Sequence, residues 1–323
     1  MSAAASALVG IAKLASEGHL LTQKRRVQYR TLPTRKWINR CDSKRVPFDW
    51  TINPYRGCEF GCKYCYARYT HEFMERWDAT AFETEIYAKD WDPRKFRNEL
   101  AGVRAGESLA LGTATDPYQP AERRYGLTRK ALEVLAGTSG RRVYLTTKSD
   151  LVTRDIDVWT AVARRNEVSI AMTITTADAA LARLLEPYAP RPDLRLEAMR
   201  ELANAGLRVT VIAAPVLPLI TDGEEDLERI ARLARAAGAS AFSANVLFLK
   251  PCSQRVFFPF LEESFPHLTA RYRANYEHDA FVKGRYPERI RTMVQQIRER
   301  TGLNPREAVE VAVEREDEQL RLF

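Results

Sequence analysis

The chain has 323 residues, with 50 Lys and Arg against 42 Asp and Glu, so its formal net charge is +8 at pH 7. Hydrophobic residues make up 45% and charged residues 28%, which excludes intrinsically disordered and collagen-like classes and allows a large buried core. No apolar run approaches the roughly 18 residues of a membrane-spanning helix, so we expect no membrane association.

The first 50 residues carry most of the net charge. They hold ten Lys and Arg against three acids, whereas the rest of the chain is nearly neutral. Tyr29 and Trp37 lie among these cations, and a basic segment with aromatic rings can track phosphates while the rings stack on bases. We therefore predict a basic extension over residues 1–48, with nucleic acid as one candidate partner. The alternatives are a solvated extension wrapped on the rest of the fold, or a contact for an acidic electron donor.

Three of the five cysteines, Cys58, Cys62 and Cys65, crowd into eight residues just after a predicted strand at residues 49–54. Such crowding is a poor disulfide framework for a long chain and a good set of metal ligands, which favours a reducing cytoplasm. Gly57 allows the backbone to wrap around a bound group.

A set of three thiols limits the kinds of metal centre that fit. No fourth cysteine is near in the sequence, so three corners of an iron–sulfur cube can be held while one iron stays open. Structural zinc takes four ligands, commonly from two Cys-x-x-Cys pairs. A zinc site completed by His71, or three unrelated buried thiols, are the alternatives.

From about residue 105, short apolar runs alternate with helical patterns. The runs are continuous and rich in Val, Ile and Leu, as expected for parallel strands covered on both faces. Successive βα units of this kind predict an open doubly wound sheet, or a full or partial barrel. The predicted strands are 49–54, 108–113, 142–147, 167–173, 208–214 and 239–249, and the predicted helices are 127–136, 156–163, 194–205 and 225–236.

Other predicted elements flank this series. Residues 85–89 are predicted as an extra hairpin or edge strand before a helix that starts at Asp92. Helices are predicted over 261–282 and 286–300, and the acidic stretch 305–323 as a docked helix or a frayed tail. We therefore predict three parts: the basic extension 1–48, a βα body over 49–252 and a helical extension over 253–323.

The spacing Cys-x3-Cys-x-aromatic-Cys, matched by Cys58, Cys62, Tyr64 and Cys65, resembles the radical S-adenosylmethionine (SAM) superfamily. The resemblance implies an α/β fold, a partial (β/α)6 TIM-type barrel, which agrees with the six predicted strands. It also implies a [4Fe-4S] cluster on the three cysteines, with SAM chelated to the fourth iron. Reductive cleavage of SAM would give methionine and a 5′-deoxyadenosyl radical that abstracts hydrogen from the substrate. The electron would come from a flavodoxin- or ferredoxin-type donor.

The longer run at residues 53–68, NPYRGCEFGCKYCYAR, is similar to the spore photoproduct lyase-like branch, also described as DNA repair photolyase-like. This resemblance implies that Lys148 pairs with the SAM carboxylate and that Thr115 contacts the same end of SAM. Thr173 would contact that end or the ribose, and the backbone of Tyr64 would lie near the adenine. These threonines and Lys148 stand at the carboxyl ends of three successive predicted strands, where active sites of parallel barrels form. An unpaired ammonium at such a buried position would be costly, which favours a bound partner for Lys148.

The same resemblance implies a DNA lesion or a modified nucleotide as substrate. A peptide or a small metabolite is the alternative substrate for radical chemistry. A non-catalytic nucleic-acid-binding protein with a structural metal is the alternative of another class. We also predict that Asp116, Tyr118, Gln119 and His71 face the substrate.

One position departs from the family pattern. In spore photoproduct lyase a cysteine at the end of the second strand donates hydrogen to the product radical, and Thr113 stands at the corresponding position here. The O–H bond of threonine is too strong for that role. Cys252, after the sixth predicted strand, is the candidate replacement donor, and Cys41 is another free thiol to consider.

Overall fold

The structure, a computed structural model, describes residues 8–24, 26–42 and 46–304, so the predicted element at 305–323 lies outside the described residues. The strands are β1 (Leu20–Lys24), β2 (Val27–Leu32), β3 (Ile38–Arg40), β4 (Trp50–Ile52), β5 (Tyr55–Arg56), β6 (Glu85–Lys89), β7 (Ser108–Leu111), β8 (Arg142–Thr147), β9 (Glu167–Thr173), β10 (Val209–Val216) and β11 (Phe242–Val246).

The α-helices are α1 (Gly10–Glu17), α2 (Tyr69–Glu72), α3 (Ala81–Thr84), α4 (Pro93–Ala101), α5 (Pro120–Tyr125), α6 (Leu127–Ala136), α7 (Ile156–Ala163), α8 (Ala179–Leu185), α9 (Pro192–Asn204), α10 (Glu224–Ala236), α11 (Pro251–Ser264), α12 (Thr269–Tyr276) and α13 (Tyr286–Thr301). Short 3₁₀ helices span Tyr66–Arg68, Asp150–Asp155 and Pro266–Leu268.

The main sheet has seven strands in the spatial order β11-β10-β9-β8-β7-β4-β3. The strands β4, β7, β8, β9, β10 and β11 pair in parallel and in chain order. The prediction of six parallel strands in successive βα units is therefore confirmed. The two outer strands of this sheet do not pair with each other in the described part of the chain, so the barrel is partial. β3 adds an antiparallel strand at one edge, with Arg40 opposite Trp50.

Burial along the strands separates the two faces of the main sheet. Val143 and Leu145 of β8 are fully buried and belong to the same hydrophobic core as Trp159 of the outer helix α7. Alternate residues of a strand point to opposite faces, and Ile212 and Ala214 of β10 are half-buried and line a cavity on the inner face. Helices therefore cover the outer face of the main sheet, and the cavity lies on its inner face.

A second sheet, in the order β1-β2-β6-β5, packs beside the main one. The prediction that residues 85–89 form a hairpin or an edge strand is wrong, because β6 lies between β2, its parallel partner, and β5, its antiparallel partner. The strands that β6 pairs with come from distant parts of the sequence, and no local turn signal marks them.

Tyr29 and Trp37 of the basic extension belong to the core. Tyr29 is 1% exposed and Trp37 is fully buried, with Trp37 packed edge-on against Trp91 and Phe96 at centroid distances of 5.0 and 5.7 Å. The prediction that these rings stack on nucleic acid bases is therefore wrong. Burial of large apolar rings in the core is the stronger tendency.

The first C-terminal helix differs from its prediction over 261–282. Helix α11 begins at Pro251, since proline suits the first turn, and the helical run breaks at Phe265 because Pro266 disfavours the helical conformation in the preceding residue. In the described residues, we find no helix that is long and apolar enough to span a bilayer. The division at residues 48 and 252 stays a prediction.

Candidate functional site

The cysteine loop, residues 53–66, leaves β4 at the carboxyl edge of the main sheet. The backbone N–H of Cys58 donates to the carbonyl oxygen of Phe82 at 2.8 Å, which ties the loop to the segment before β6. Gly57 has φ +83°, and a Cβ there would lie 2.8 Å from the carbonyl oxygens of both Phe82 and Glu85. This close approach requires glycine.

One cavity of about 350 Å³ lies beside the loop, a volume in the usual range for small-molecule sites. It is bounded by the loop on one side and by the ends of the parallel strands on the other. Every predicted ligand of the cluster and of SAM lines it: Cys58, Cys62, Tyr64, Cys65, Thr115, Lys148 and Thr173. The structure thus brings together residues that are up to 115 positions apart in the sequence.

The three thiols lie in a desolvated environment. Burial, together with the charge of Asp116, raises the pKa of Cys58 well above its usual value, and burial raises the pKa of Cys62 to about 12 and that of Cys65. The free thiols are therefore protonated at neutral pH, and a bound metal centre would displace these protons. Three thiols that face one cavity fit a cluster held by three cysteines.

His71 does not join these cysteines. Its Nε2 lies 2.9 Å from the carbonyl oxygen of Glu85, so Nε2 carries the proton and donates to that oxygen. Burial lowers the pKa of His71 to about 4. Over the described ranges, no group of three or more His, Cys, Asp or Glu side chains is arranged to hold one metal ion. The structure therefore gives no support to a zinc site completed by His71, whereas a cluster of several irons would take each thiolate at a different iron.

Lys148 lies at the cavity wall, where Asp116 and Glu186 flank it. The carboxylate of Asp116 accepts the backbone N–H of Lys148 at 2.7 Å and the hydroxyl of Thr147 at 2.7 Å. The ammonium Nζ of Lys148 lies 3.9 Å from Oε1 of Glu186. Although burial alone would raise it, the charges of Arg195 and Lys148 lower the pKa of Glu186 to about 2. Sequence reasoning missed Glu186, because no motif surrounds it.

Thr115 and Gln119 hold the cysteine loop in place. The Thr115 hydroxyl donates to the carbonyl oxygen of Gly57 at 2.6 Å, and the Gln119 amide donates to the same oxygen at 2.9 Å. Gln119 also accepts the backbone N–H of Glu59 at 3.0 Å.

Only one of the four residues predicted to face substrate does line the cavity, namely Asp116. Tyr118 is 1% exposed and its hydroxyl accepts a hydrogen bond from Nε1 of Trp159 at 2.9 Å. Gln119 is fully buried beneath the loop, and His71 is buried against Phe82. The prediction is therefore wrong for Tyr118, Gln119 and His71, because all three side chains are buried and each hydrogen-bonds to a group away from the cavity.

The free thiols outside the loop lie away from the cavity wall. Cys252 is 4% exposed and does not line the cavity, although its neighbour Ser253 donates to the carbonyl oxygen of Cys65 at 2.8 Å. Cys41 follows Arg40 of β3, which pairs with Trp50 at the start of β4, whereas the cysteine loop leaves the other end of β4. The cavity wall instead carries the phenol of Tyr66, whose hydroxyl donates to the carbonyl oxygen of Thr113 at 2.5 Å.

Comparisons with known proteins show the family to which the chain belongs. The model of the Radical SAM superfamily matches residues 52–234. An uncharacterised protein of Mycobacterium tuberculosis is 36% identical over 250 residues, which cover 77% of this chain and 73% of the relative. An uncharacterised protein of Methanocaldococcus jannaschii is 28% identical over 176 residues, which cover 54% of this chain and 63% of the relative.

Among solved structures, a spore photoproduct lyase complexed with dinucleoside spore photoproduct shares the fold of this chain. The TM-score is 0.63 at 16% sequence identity, and the match covers 84% of this chain and 79% of the lyase. A mutant of the same lyase with bound AdoMet and dinucleoside spore photoproduct matches equally well. With a family model that spans more than half of its length, the chain belongs to the radical SAM superfamily and is an enzyme of that superfamily.

Proposed function

We propose that this enzyme holds a [4Fe-4S] cluster on Cys58, Cys62 and Cys65 and binds SAM in the adjoining cavity. The observation that carries the proposal is that these cysteines line one cavity with Lys148 and the threonines at the strand ends. When bound, the cluster and SAM supply, with one electron from an external donor, a carbon radical that abstracts hydrogen from the substrate.

The chain's own residues would orient SAM. Lys148 presents an ammonium to the cavity from the end of β8, where its charge would pair with the SAM carboxylate. Thr173, at the end of β9, would accept or donate a hydrogen bond at the same end of SAM or at its ribose. Thr115 acts through the loop, because its hydroxyl is already bonded to Gly57.

Part of the cavity wall is apolar and would keep water from a radical. Ile212 and Ala214 of β10 and Val246, Leu247 and Phe248 at the end of β11 contribute to this part. Such a wall protects a reactive intermediate from side reactions. A cluster of this kind also needs a reducing compartment and an electron donor, so we propose a cytoplasmic enzyme with a flavodoxin- or ferredoxin-type partner.

A DNA lesion or modified nucleotide is the substrate class that we propose. Aromatic rings lie on the cavity wall and next to it. Tyr66, 41% exposed, lines the cavity with Phe248 at a ring distance of 6.3 Å, and Nζ of Lys250 lies 5.7 Å from the Phe248 ring. Tyr69 lies 5.4 Å from the ring of Phe73, which is 61% exposed. Lys250 places its Nζ 3.8 Å from the Tyr69 ring centroid. Rings next to a cation suit the stacking of bases and the pairing of phosphates.

Anaerobic reconstitution tests the cluster and SAM cleavage. We expect about four irons and four sulfides per chain, and 5′-deoxyadenosine after SAM and a strong reductant are added. Replacing Cys62 by Ala should abolish both, while Cys41→Ala serves as the matched control and should abolish neither. A colourless protein that holds one zinc ion would overturn the proposal.

Deuterium transfer tests the substrate class. Irradiated DNA and tRNA carrying deuterium would be incubated with the reconstituted enzyme, and transfer of deuterium into 5′-deoxyadenosine is expected for the true substrate. Transfer from a labelled peptide or a small-metabolite fraction, with none from either nucleic acid, would favour the alternative substrate class. Phe73→Ala should weaken nucleic acid binding by about 1 to 3 kcal/mol if the ring stacks on a base.

A further inference from the structure

The geometry points to Glu186 as a positioning residue that fixes the Tyr64 phenol and the Lys148 ammonium at the wall of the SAM cavity. The inference rests on the proposed function, since Tyr64 and Lys148 contact SAM only if SAM binds there. Glu186 itself is 2% exposed and does not line the cavity, so it acts through the other two side chains.

The first link runs to the cysteine loop through Tyr64, which stands between Cys62 and Cys65. The Tyr64 hydroxyl donates to Oε1 of Glu186. The Thr175 hydroxyl lies 2.7 Å from the same carboxylate oxygen, 2.9 Å from the Tyr64 hydroxyl and 2.9 Å from the carbonyl oxygen of Ala214. Glu186 thereby ties the middle of the loop to the ends of β9 and β10.

The second link holds Glu186 itself. Its Oε2 pairs with Arg195 of α9, which is 1% exposed. The other two nitrogens of Arg195 donate to the backbone: Nη1 donates to the carbonyl oxygen of Thr173 at 3.0 Å and Nε donates to that of Pro190 at 2.7 Å. Since a planar guanidinium with several fixed partners cannot swing freely, Arg195 anchors the carboxylate in one orientation.

The third link reaches Lys148. Its Nζ lies 3.9 Å from Oε1 of Glu186, which is longer than a hydrogen bond, and 5.6 Å from the centroid of the Tyr64 ring. The ammonium is therefore drawn toward Glu186 while its donors stay available to the cavity. Because Arg195 already pairs with Glu186, the ammonium of Lys148 is the group that a carboxylate in the cavity would meet.

The test compares the wild-type holoenzyme with two variants. Tyr64→Phe removes the phenol and leaves the buried pair of Glu186 and Arg195 intact. The double variant Glu186→Gln/Arg195→Gln removes both buried charges together, because the loss of one partner alone would strand the other and endanger folding. Tyr118→Phe is the matched control, since it also removes a buried phenol but at a site away from the cavity.

The readouts are iron content, the Kd for SAM and the electron paramagnetic resonance spectrum of the reduced cluster with and without SAM. In both variants we expect iron content close to wild type, a Kd for SAM raised by about tenfold to a hundredfold, and a smaller spectral change on adding SAM. Tyr118→Phe should lower only the free energy of unfolding. A purely structural role for Glu186 would not move the spectrum.

The outcomes separate the two proposals. A wild-type chain that binds no cluster or cleaves no SAM would overturn the proposed function itself. If the wild type does both, and Tyr64→Phe keeps its Kd and spectrum, the positioning role of Glu186 is wrong. Loss of iron in Tyr64→Phe would also contradict it, because the role would then be cluster retention. Should the double variant not fold, Tyr64→Phe decides alone.

Discussion

At the scale of single residues, burial fixes the charge state of His71. Its pKa is lowered from 6.5 to about 4 by burial, so the folded protein holds a neutral imidazole. Between pH 6.5 and 4 the unfolded chain binds this proton and the folded chain does not, so stability falls as the pH is lowered through this range. We expect a loss of about 2 kcal/mol by pH 5 from this group alone.

Urea unfolding of the metal-free chain at pH 7.5 and pH 5 measures this loss. His71→Gln should reduce the difference between the two pH values, because the variant has no imidazole to protonate. His267→Gln, which changes an exposed histidine, should keep the wild-type difference. Equal pH dependence in all three chains would contradict the assignment.

A second prediction concerns Cys252, which lies outside the cavity wall. Cys252→Ala should retain iron content and should form 5′-deoxyadenosine within about twofold of the wild-type rate, because only a small cavity is created away from the reacting groups. Once a substrate is known, product formation should also persist. Loss of product with SAM cleavage intact would instead identify Cys252 as the hydrogen donor.

The sequence predicts the cysteines better than their neighbours for a physical reason. Cys58, Cys62 and Cys65 belong to one short loop and line one cavity, so their spacing in the sequence is enough to predict that they lie together. Glu186 reaches Tyr64 across 122 positions, and only the assembled fold brings the two together. Tyr118 and Gln119 were predicted on the right loop, but the loop turns their polar atoms inward to Trp159 and Gly57.

At the scale of elements, the cysteine loop depends on a backbone contact at Gly57. Gly57 and Gly106 both have positive φ, at +83° and +81°. A Cβ added at Gly57 would lie 2.8 Å from two backbone oxygens, whereas a Cβ added at Gly106 would have no neighbour within 4 Å. We expect Gly106→Ala to cost about 1 to 2 kcal/mol from backbone strain alone. Gly57→Ala should cost more and should also lower the iron content of the reconstituted chain.

Paired thermal unfolding and iron analysis of these two variants check the prediction. Because the two glycines have nearly the same φ, backbone strain cannot explain a difference in stability or iron content between the two variants. If Gly57→Ala binds iron as well as Gly106→Ala does, the close packing of the loop over Phe82 and Glu85 is not needed for the cluster.

Helix boundaries illustrate where element prediction from sequence stops. The predicted helix 127–136 has the bounds of α6 in the structure, since an amphipathic pattern and a following glycine mark it. The predicted helix 261–282 failed because aromatic residues at 257–265 gave no clear period, while Pro251 and Pro266 set the true limits of α11.

At the scale of the whole molecule, Trp37 joins the second sheet to the barrel. It packs on Trp91 and Phe96, and the carboxylate of Glu99 in α4 accepts its backbone N–H at 2.8 Å. We expect Trp37→Ala to lower the free energy of unfolding by about 3 to 5 kcal/mol. Trp77→Ala, at a 61% exposed ring, should change it by at most about 0.5 kcal/mol.

Chemical denaturation of both tryptophan variants provides the measurement. A small effect at Trp37 would mean that the N-terminal extension contributes little to stability and that the Trp37 ring is available for ligands after all.

The six parallel strands of the barrel were predictable because each βα unit repeats a local pattern, whereas the second sheet was not. Its strands β2 and β6 pair across more than 50 residues.

The cysteine loop receives support from both ends of the chain. The Tyr29 hydroxyl donates to the carboxylate of Glu59 at 2.7 Å, and the Ser253 hydroxyl donates to the carbonyl oxygen of Cys65. Both donors lie outside the segment 52–234 that matches the family model. A chain cut down to that segment would therefore keep all three cysteines of the loop and lose two of the hydrogen bonds that shape it.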